Sequence, residues 1–197
     1  VPTLGEAAKA GDLMGVTARL DAGDDANECI GDYHATPLHF AGRWGHQDVA
    51  VALIERGADI DATDKSNATP LHRAAENGHA ELAVALIERG ADIHAKNKDD
   101  DSPLHRAALW GHLEVALALI ESGAHIDATG DDWNTPLHHA ARNGQAEVAV
   151  ALMERGANTE ARNGDLKSPL HRAALWGHLK VAVALMERGA NTEARNG

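Results

Sequence analysis

The stretch TPLHRAAENGHAELAVALIERGA, residues Thr69–Ala91, decides the fold of this chain. Thr69 is a favourable N-cap, because its hydroxyl can accept a hydrogen bond from a free amide of the first turn. Pro70 then occupies the first helical position, where its missing N–H costs nothing. Gly78 and Gly90 follow two short segments with apolar residues at helical spacing, and they are typical of residues that end helices. The stretch therefore predicts two short helices, and one such pair cannot bury its own apolar stripe.

Five regular copies of this stretch follow one another along the chain. Their TPLH or SPLH motifs begin at Thr36, Thr69, Ser102, Thr135 and Ser168, in steps of 33 residues. Residues 4–27 are an irregular copy, and the loop after them is one residue longer. We predict a single domain of six units, bounded at 1–31, 32–64, 65–97, 98–130, 131–163 and 164–197. Stacked units of this kind bury their stripes in one continuous core.

The period of 33 residues, the T-P-L-H-x-A motif and the G-H and G-A-D elements resemble the ankyrin repeat over nearly the whole chain. The resemblance implies an all-α solenoid of stacked helix-turn-helix units with projecting β-hairpin or loop fingers. It also implies a concave groove that is used for protein–protein recognition.

One departure from the family concerns the finger tips, where the family usually places glycine two residues before the Thr. The chain has His34, Asn67, Asp100, Trp133 and Leu166 at these positions. Asn and Asp tolerate a left-handed backbone, whereas Trp and Leu tolerate it poorly. We therefore expect the tips at Trp133 and Leu166 to bend differently from the others.

Composition and charge narrow the class of partner. Aromatic residues make up only 3% of the chain and apolar residues 44%, so the core is built from Ala, Leu, Val and Ile. The formal charge of -12 disfavours nucleic acid and favours a protein partner with a neutral or basic surface. No apolar run reaches the ~20 residues of a membrane span, so no membrane partner is expected.

The cysteine content bears on the compartment. Cys29 is the sole cysteine, so no internal disulfide can form, which favours a reducing, cytoplasmic location. The chain begins at Val1 without Met, which leaves open a targeting segment that was removed.

Positions that differ between units are free for recognition, whereas constant positions serve the scaffold. The most variable pairs precede the glycine that ends each first helix, and by the resemblance they lie on the concave groove. These pairs are Arg43 and Trp44, Glu76 and Asn77, Leu109 and Trp110, Arg142 and Asn143, and Leu175 and Trp176. The finger tips also vary, and their predicted binding residues are Tyr33, Ser66, Asp99, Trp133 and Leu166.

Three tryptophans, Trp44, Trp110 and Trp176, recur at one position in alternate units. Because packed helices lie about 8–10 Å apart, they are expected to form a row spaced by roughly 20 Å. Surface tryptophan is typical of binding hot spots. The alternative is that each ring lies flat over the neighbouring helix and serves only packing. The segment SPLHRAALWGHL occurs twice, at Ser102 and Ser168, which indicates a longer period of two units.

Thirteen histidines suggest a metal site, but nine of them belong to the repeated TPLH and Gly-His elements. Copies one unit apart are about 8–10 Å from each other, too far to share an ion. We expect each imidazole to hydrogen-bond backbone instead.

The acidic runs Asp99–Asp101 and Asp131–Asp132 lack calcium-loop spacing and are interpreted as solvated tips. No catalytic motif is present, so neither enzyme activity nor a cofactor or metal is predicted.

The last helix, Leu179 to Met186, keeps the apolar pattern of interior units, although terminal units normally carry a polar outer face. This end is therefore expected to be uncapped, which favours end-to-end self-association or a place within a longer array. A further alternative is an engineered scaffold without a natural ligand. The near-identical blocks favour that alternative, and the irregular first unit opposes it.

Overall fold

The computed structural model describes residues 2–191. Within this range the chain forms twelve α-helices, arranged as six pairs, and no strand. The first helices of the pairs are α1 (Leu4–Ala10), α3 (Pro37–Trp44), α5 (Pro70–Asn77), α7 (Pro103–Trp110), α9 (Pro136–Arg142) and α11 (Pro169–Leu175). The second helices are α2 (Leu13–Asp21), α4 (Gln47–Glu55), α6 (Ala80–Glu88), α8 (Leu113–Glu121), α10 (Ala146–Glu154) and α12 (Leu179–Glu187).

The two helices of each pair belong to two layers. Each first helix packs on the first helix of the next pair, and each second helix packs on the next second helix. Small residues allow this close stacking, since Ala74 and Ala107 on successive first helices are completely buried. Leu71 and Leu104 fill the space between the layers and are also inaccessible to solvent. The all-α architecture of stacked helix pairs predicted from the sequence is thereby confirmed.

The TPLH histidines take part in the helix caps. The Thr69 N–H donates to His72 Nδ1 at 3.2 Å, and the His72 N–H donates to Thr69 Oγ1 at 3.4 Å. The histidine thus replaces the Glu or Gln of the usual capping box. Because Nδ1 accepts from an amide, the ring proton is on Nε2, which donates to the Asp101 carbonyl of the next finger at 2.9 Å. Each cap therefore also ties one unit to the following one.

The Gly-His histidines bind in the opposite direction along the stack. His79 Nε2 donates to the Arg43 carbonyl at 3.0 Å, at the end of the preceding first helix. Gly45 is required beside this ring, because its φ is +76° and a Cβ there would collide with the imidazole. In unit 5 the residue is Gln145, and its contact with the Leu109 carbonyl is longer, at 3.4 Å. The prediction that these histidines bond backbone at the helix–loop corners is confirmed.

The fingers are the loops that join each second helix to the next first helix. They are closed by backbone hydrogen bonds such as that from Asp64 N–H to the Ala68 carbonyl at 3.0 Å. Successive fingers are also bonded to one another, for example from Lys65 N–H to the Tyr33 carbonyl at 2.8 Å. One isolated antiparallel bridge, between Ile30 and Ala35, occurs within residues 2–191. Of the two forms predicted for the fingers, the loop is therefore the one observed.

The finger tips at Trp133 and Leu166 were both expected to bend differently from the others, and this expectation fails at one of them. All five tip residues have a left-handed backbone, and Leu166, with φ +59°, closely matches Asn67, with φ +54°. The expectation of a different bend at Leu166 was wrong, because the Asn163 side chain sets this turn by accepting from the Lys167 N–H at 2.9 Å.

At Trp133 the bend does differ, as a 3₁₀ turn over Asp131–Trp133 with a second left-handed residue, Asp132. The equivalent of Asn163 in this finger is Gly130, which has no side chain to hold the common turn.

Candidate functional site

The three recurrent tryptophans lie at the C-terminal ends of first helices. Trp44 and Trp110 are the last residues of α3 and α7, and Trp176 directly follows α11. Their exposed fractions are 48%, 54% and 53%, in the same order. We call these three residues the tryptophan row. Each ring thus buries about half of its surface and leaves the other half open.

Two of the three rings lie beside the preceding first helix. Trp44 shares a surface pocket with Glu6, Lys9 and Ala10 of α1. The Arg142 guanidinium carbon lies 5.5 Å from the centre of the Trp176 ring, within the range of a cation–π contact. Contact with the preceding unit and exposure to solvent therefore coexist at Trp44 and Trp176.

Trp110 borders a cleft of about 260 Å³ that spans three units and is also lined by Arg43, Arg73, Glu76 and Asn77. Arg73 Nη1 donates to the Glu76 carboxylate at 2.8 Å, and the same arginine also pairs with Asp64. The structure brings this group of predicted residues together. Arg43, in contrast, has no ion-pair partner among residues 2–191, and its guanidinium carbon lies 5.8 Å from the Trp44 ring.

The remaining predicted positions before the helix-ending glycines differ in exposure. Leu109 is half-buried, whereas 62% of Leu175 is exposed. The Asn143 amide donates to the His139 carbonyl at 2.9 Å and continues the hydrogen bonding of α9. Arg142, like Arg43, is exposed and has no ion-pair partner within the described part of the chain.

A second cleft, of about 400 Å³, lies between the fingers and the first helices. Tyr33 and Ser66 border it from the fingers, and Arg73 and Glu76 border it from α5. The structure thus joins two predicted finger-tip residues to one predicted helix-end residue. Trp133 and Leu166 are exposed on their own tips and do not line this cleft.

An ion pair between the half-buried Arg73 and the buried Asp64 lines the second cleft. Arg73 binds Asp64 and also bonds the Ser66 hydroxyl at 2.8 Å. Burial alone would raise the pKa of the Asp64 carboxyl, but hydrogen bonds from Ser66 and Arg73 outweigh it and lower the pKa. Asp64 is therefore ionised at neutral pH, and this pair holds the finger against α5.

The acidic run Asp99–Asp101 is only partly a solvated tip. Asp99 is exposed and paired with Arg106, whereas Asp101 is buried, with 3% exposed, so the expectation of solvent exposure was wrong for Asp101. Its Oδ1 lies 3.3 Å from His139 Nε2, and its Oδ2 lies 3.6 Å from Arg106 Nε. Gly130 makes this approach possible, because a Cβ there would collide with Asp101 Oδ1.

One feature of the sequence points to the contact between Asp101 and His139, although it was not used in the prediction. His139 occupies the position that is arginine in the units of Arg73, Arg106 and Arg172. Burial alone would raise the pKa of the Asp101 carboxyl, but the neighbouring side chains of His139, His105 and Arg106 lower it. Among the described residues, no group of three or more His, Cys, Asp or Glu could hold a metal ion.

Paired helices in two layers, tied by side chain–backbone bonds from unit to unit, define a helical repeat protein. The family model for ankyrin repeats matches the chain in three copies, over residues 4–97, 59–130 and 128–196. The chain belongs to the ankyrin repeat family. No curated protein matches it. The family is typically non-catalytic, and no catalytic domain is found. No helix within residues 2–191 is long and apolar enough to cross a membrane.

Proposed function

We propose that the chain binds a partner protein through the tryptophan row and the adjoining finger tips. Ankyrin repeats are generally protein–protein interaction modules, which supports the class of function. The observation that carries the proposal is the half-exposure of Trp44, Trp110 and Trp176 at one register of the stack. Three equivalent rings in alternate units suit an extended partner segment that runs along the stack.

The open half of each ring is large enough to matter energetically. A tryptophan buries about 200 Å² when fully covered, so a half-exposed ring can still remove about 100 Å² from water. At about 25 cal/mol per Å², this contributes about 2.5 kcal/mol per ring. Anchors of this strength are typical of interface hot spots.

The charge of the chain supports a partner whose outer surface is neutral or basic. The formal charge is -12, and exposed acids such as Asp99, Asp131 and Asp132 stand on the fingers. Charges of this kind steer the approach of a partner more than they strengthen the final complex. The tryptophan row itself carries positive charge, because Arg43 lies near Trp44 and Arg142 near Trp176 without carboxylate partners among residues 2–191.

The test compares two variants for binding to a partner captured from the source cells. The first replaces Trp44, Trp110 and Trp176 together by Ala, and the control is Met14→Ala, on α2, where 82% of the side chain is exposed. We expect the triple variant to lose at least about a hundredfold in affinity, measured by calorimetry, and the control to bind as the wild type does. Unchanged affinity of a folded triple variant would overturn the proposal.

End-to-end self-association is a second candidate function, and one specific observation favours it. At the last unit 62% of Leu175 and 73% of Leu179 are exposed. The identical segment SPLHRAALWGHL in unit 4 has Leu109 and Leu113 half-buried under unit 5. The chain itself therefore contains this face in its covered form, with another ankyrin unit as the cover.

Sedimentation velocity over a wide concentration range tests this candidate. We expect a concentration-dependent dimer that Leu179→Lys abolishes, because a charge on this face cannot be buried against a second copy. A monomer at every concentration, for both the wild type and the variant, would contradict end-to-end association.

A further inference from the structure

The first helices of the last three units carry basic residues and no acid. Helices α7, α9 and α11 read PLHRAALW, PLHHAAR and PLHRAAL. Arg106 is paired with Asp99, and Arg172 lies within ion-pair distance of Asp132. Arg142 alone among the three arginines has no carboxylate partner within residues 2–191.

The backbone of Arg142 is held in place by the following unit. His178 Nε2 donates to the Arg142 carbonyl at 2.9 Å, which fixes the turn after α11 against the end of α9. The Arg142 guanidinium then lies over the Trp176 ring, 5.5 Å from its centre. A cation–π contact uses the face of the guanidinium and leaves the N–H donors at its edge free. Trp176 provides exposed apolar surface beside these donors, and the adjacent residue Leu175 is exposed as well.

The chain contains a matched position with the opposite charge. Two units earlier, Trp110 corresponds to Trp176, and Glu76 corresponds to Arg142. Glu76 pairs with Arg73 at 2.8 Å and shares that arginine with Asp64. The same indole therefore lies once near an acidic residue in an ion-pair network and once beside an arginine without a carboxylate partner.

We propose that Arg142, Leu175 and Trp176 form a site for a carboxylate-bearing segment of the partner protein. In this site the guanidinium edge donates to an Asp or Glu side chain, in the two-bond geometry that suits arginine and carboxylates. An apolar residue next to that acid packs on Leu175 and Trp176. This inference rests on the proposed function and adds the chemistry of the segment that docks at this end of the row.

The negative overall charge of the chain does not prevent an acidic segment from binding at this site. Exposed charges more than about 8 Å apart are largely screened at physiological salt. The carboxylates of Asp99 and Asp132 are engaged by Arg106 and Arg172 rather than by Arg142. The charge of -12 therefore slows the approach of an acidic segment, whereas Arg142 stabilises the segment once it has docked.

The test is a selection of random peptides displayed on phage against the full chain, with Arg142→Glu as the counter-selected surface. We expect the enriched peptides to carry Asp or Glu next to a large apolar residue. The affinity of a synthetic enriched peptide should fall at least about tenfold with Arg142→Glu and should be partly kept by Arg142→Lys. Arg89→Glu, the same charge reversal on an exposed residue at the end of α6, is the control and should cause no loss. Replacing the peptide's acid by its amide should cause a loss similar to that of Arg142→Glu.

The possible failures are distinguishable. Peptides that are lost with the triple tryptophan variant but bind Arg142→Glu normally would overturn this inference and leave recognition by the tryptophan row intact. Peptides that bind the triple tryptophan variant with the same affinity as the wild type would contradict both this inference and the proposed function. A selection without any enrichment over the Arg142→Glu surface would also overturn the inference. The melting temperature of each variant, within about 2 °C of the wild type, shows that folding is not the cause.

Discussion

Acidification from about pH 7.5 to about pH 5 is expected to lower the free energy of unfolding by about 6 kcal/mol, through three buried histidines. His72, His105 and His138 are at most 1% exposed. Burial lowers the pKa of each from 6.5 to about 4, because it disfavours the charged imidazolium. The geometry acts in the same direction, since Nδ1 of His72 and His138 accepts from a backbone amide and has no room for a proton.

The direction and size of the effect follow from proton linkage. The unfolded chain takes up these protons near pH 6.5, and the folded chain does so only near pH 4. Their contribution to stability is therefore fully present above the unfolded pKa and is lost as the pH falls towards 4. A pH of about 5 is about 1.5 units below the unfolded pKa of each histidine. This difference corresponds to a loss of about 2 kcal/mol in the free energy of unfolding per histidine.

The assay is urea unfolding followed by circular dichroism at several pH values between these limits. Near pH 5.5 the pH dependence should correspond to an uptake of about three protons on unfolding. His105→Asn should remove about one of them, because the amide oxygen can replace Nδ1 without titrating. Met14→Ala, an exposed residue without a titratable group, should leave the pH dependence unchanged. A free energy of unfolding that stays constant within about 1 kcal/mol over this range would refute the reasoning.

Three further substitutions test the scaffold. Gln145→His should raise the free energy of unfolding by about 1 kcal/mol, measured by urea unfolding, because it replaces a 3.4 Å contact with the Leu109 carbonyl by the shorter bond of other units. Leu166→Asn should stabilise by about 1 kcal/mol, since φ is +59° there, and an unchanged melting temperature would contradict that account. Leu104→Ala should cost about 2–5 kcal/mol, whereas Leu175→Ala, at an exposed site, should cost less than about 1 kcal/mol.

The repeat made most of the fold predictable from sequence. Helix starts at Thr69 and Ser102 and helix ends at Gly78 and Gly111 depend on hydrogen bonds within a few residues, so local sequence specifies them. The register of the tryptophan row follows from the period alone, because equivalent positions of stacked units lie above one another. The role of the histidines was predictable for the same reason, since their partners recur at each step of the repeat.

One prediction that failed concerns a contact between units, and the other concerns a turn within one finger. The acidic run predicted a solvated Asp101, but stacking buries it against His139, 38 residues later. His139 breaks the repeat, so the periodic pattern carried no information about this contact. Leu166 was predicted to bend differently from the residue type alone, but Asn163 imposes the common turn, as Asp64 and Asn97 do at the equivalent positions.

By itself, the sequence determined the all-α repeat, the helix caps, the histidine scaffold and the positions free to vary, because each depends on spacing within one unit or on the period. The tertiary structure alone decided how much of each tryptophan remains open and which arginines lack a carboxylate partner. It also decided that Asp101 and His139 meet. Exposure and ion pairing depend on side chains brought together from neighbouring units by stacking, and their distances are set by packing rather than by position along the chain.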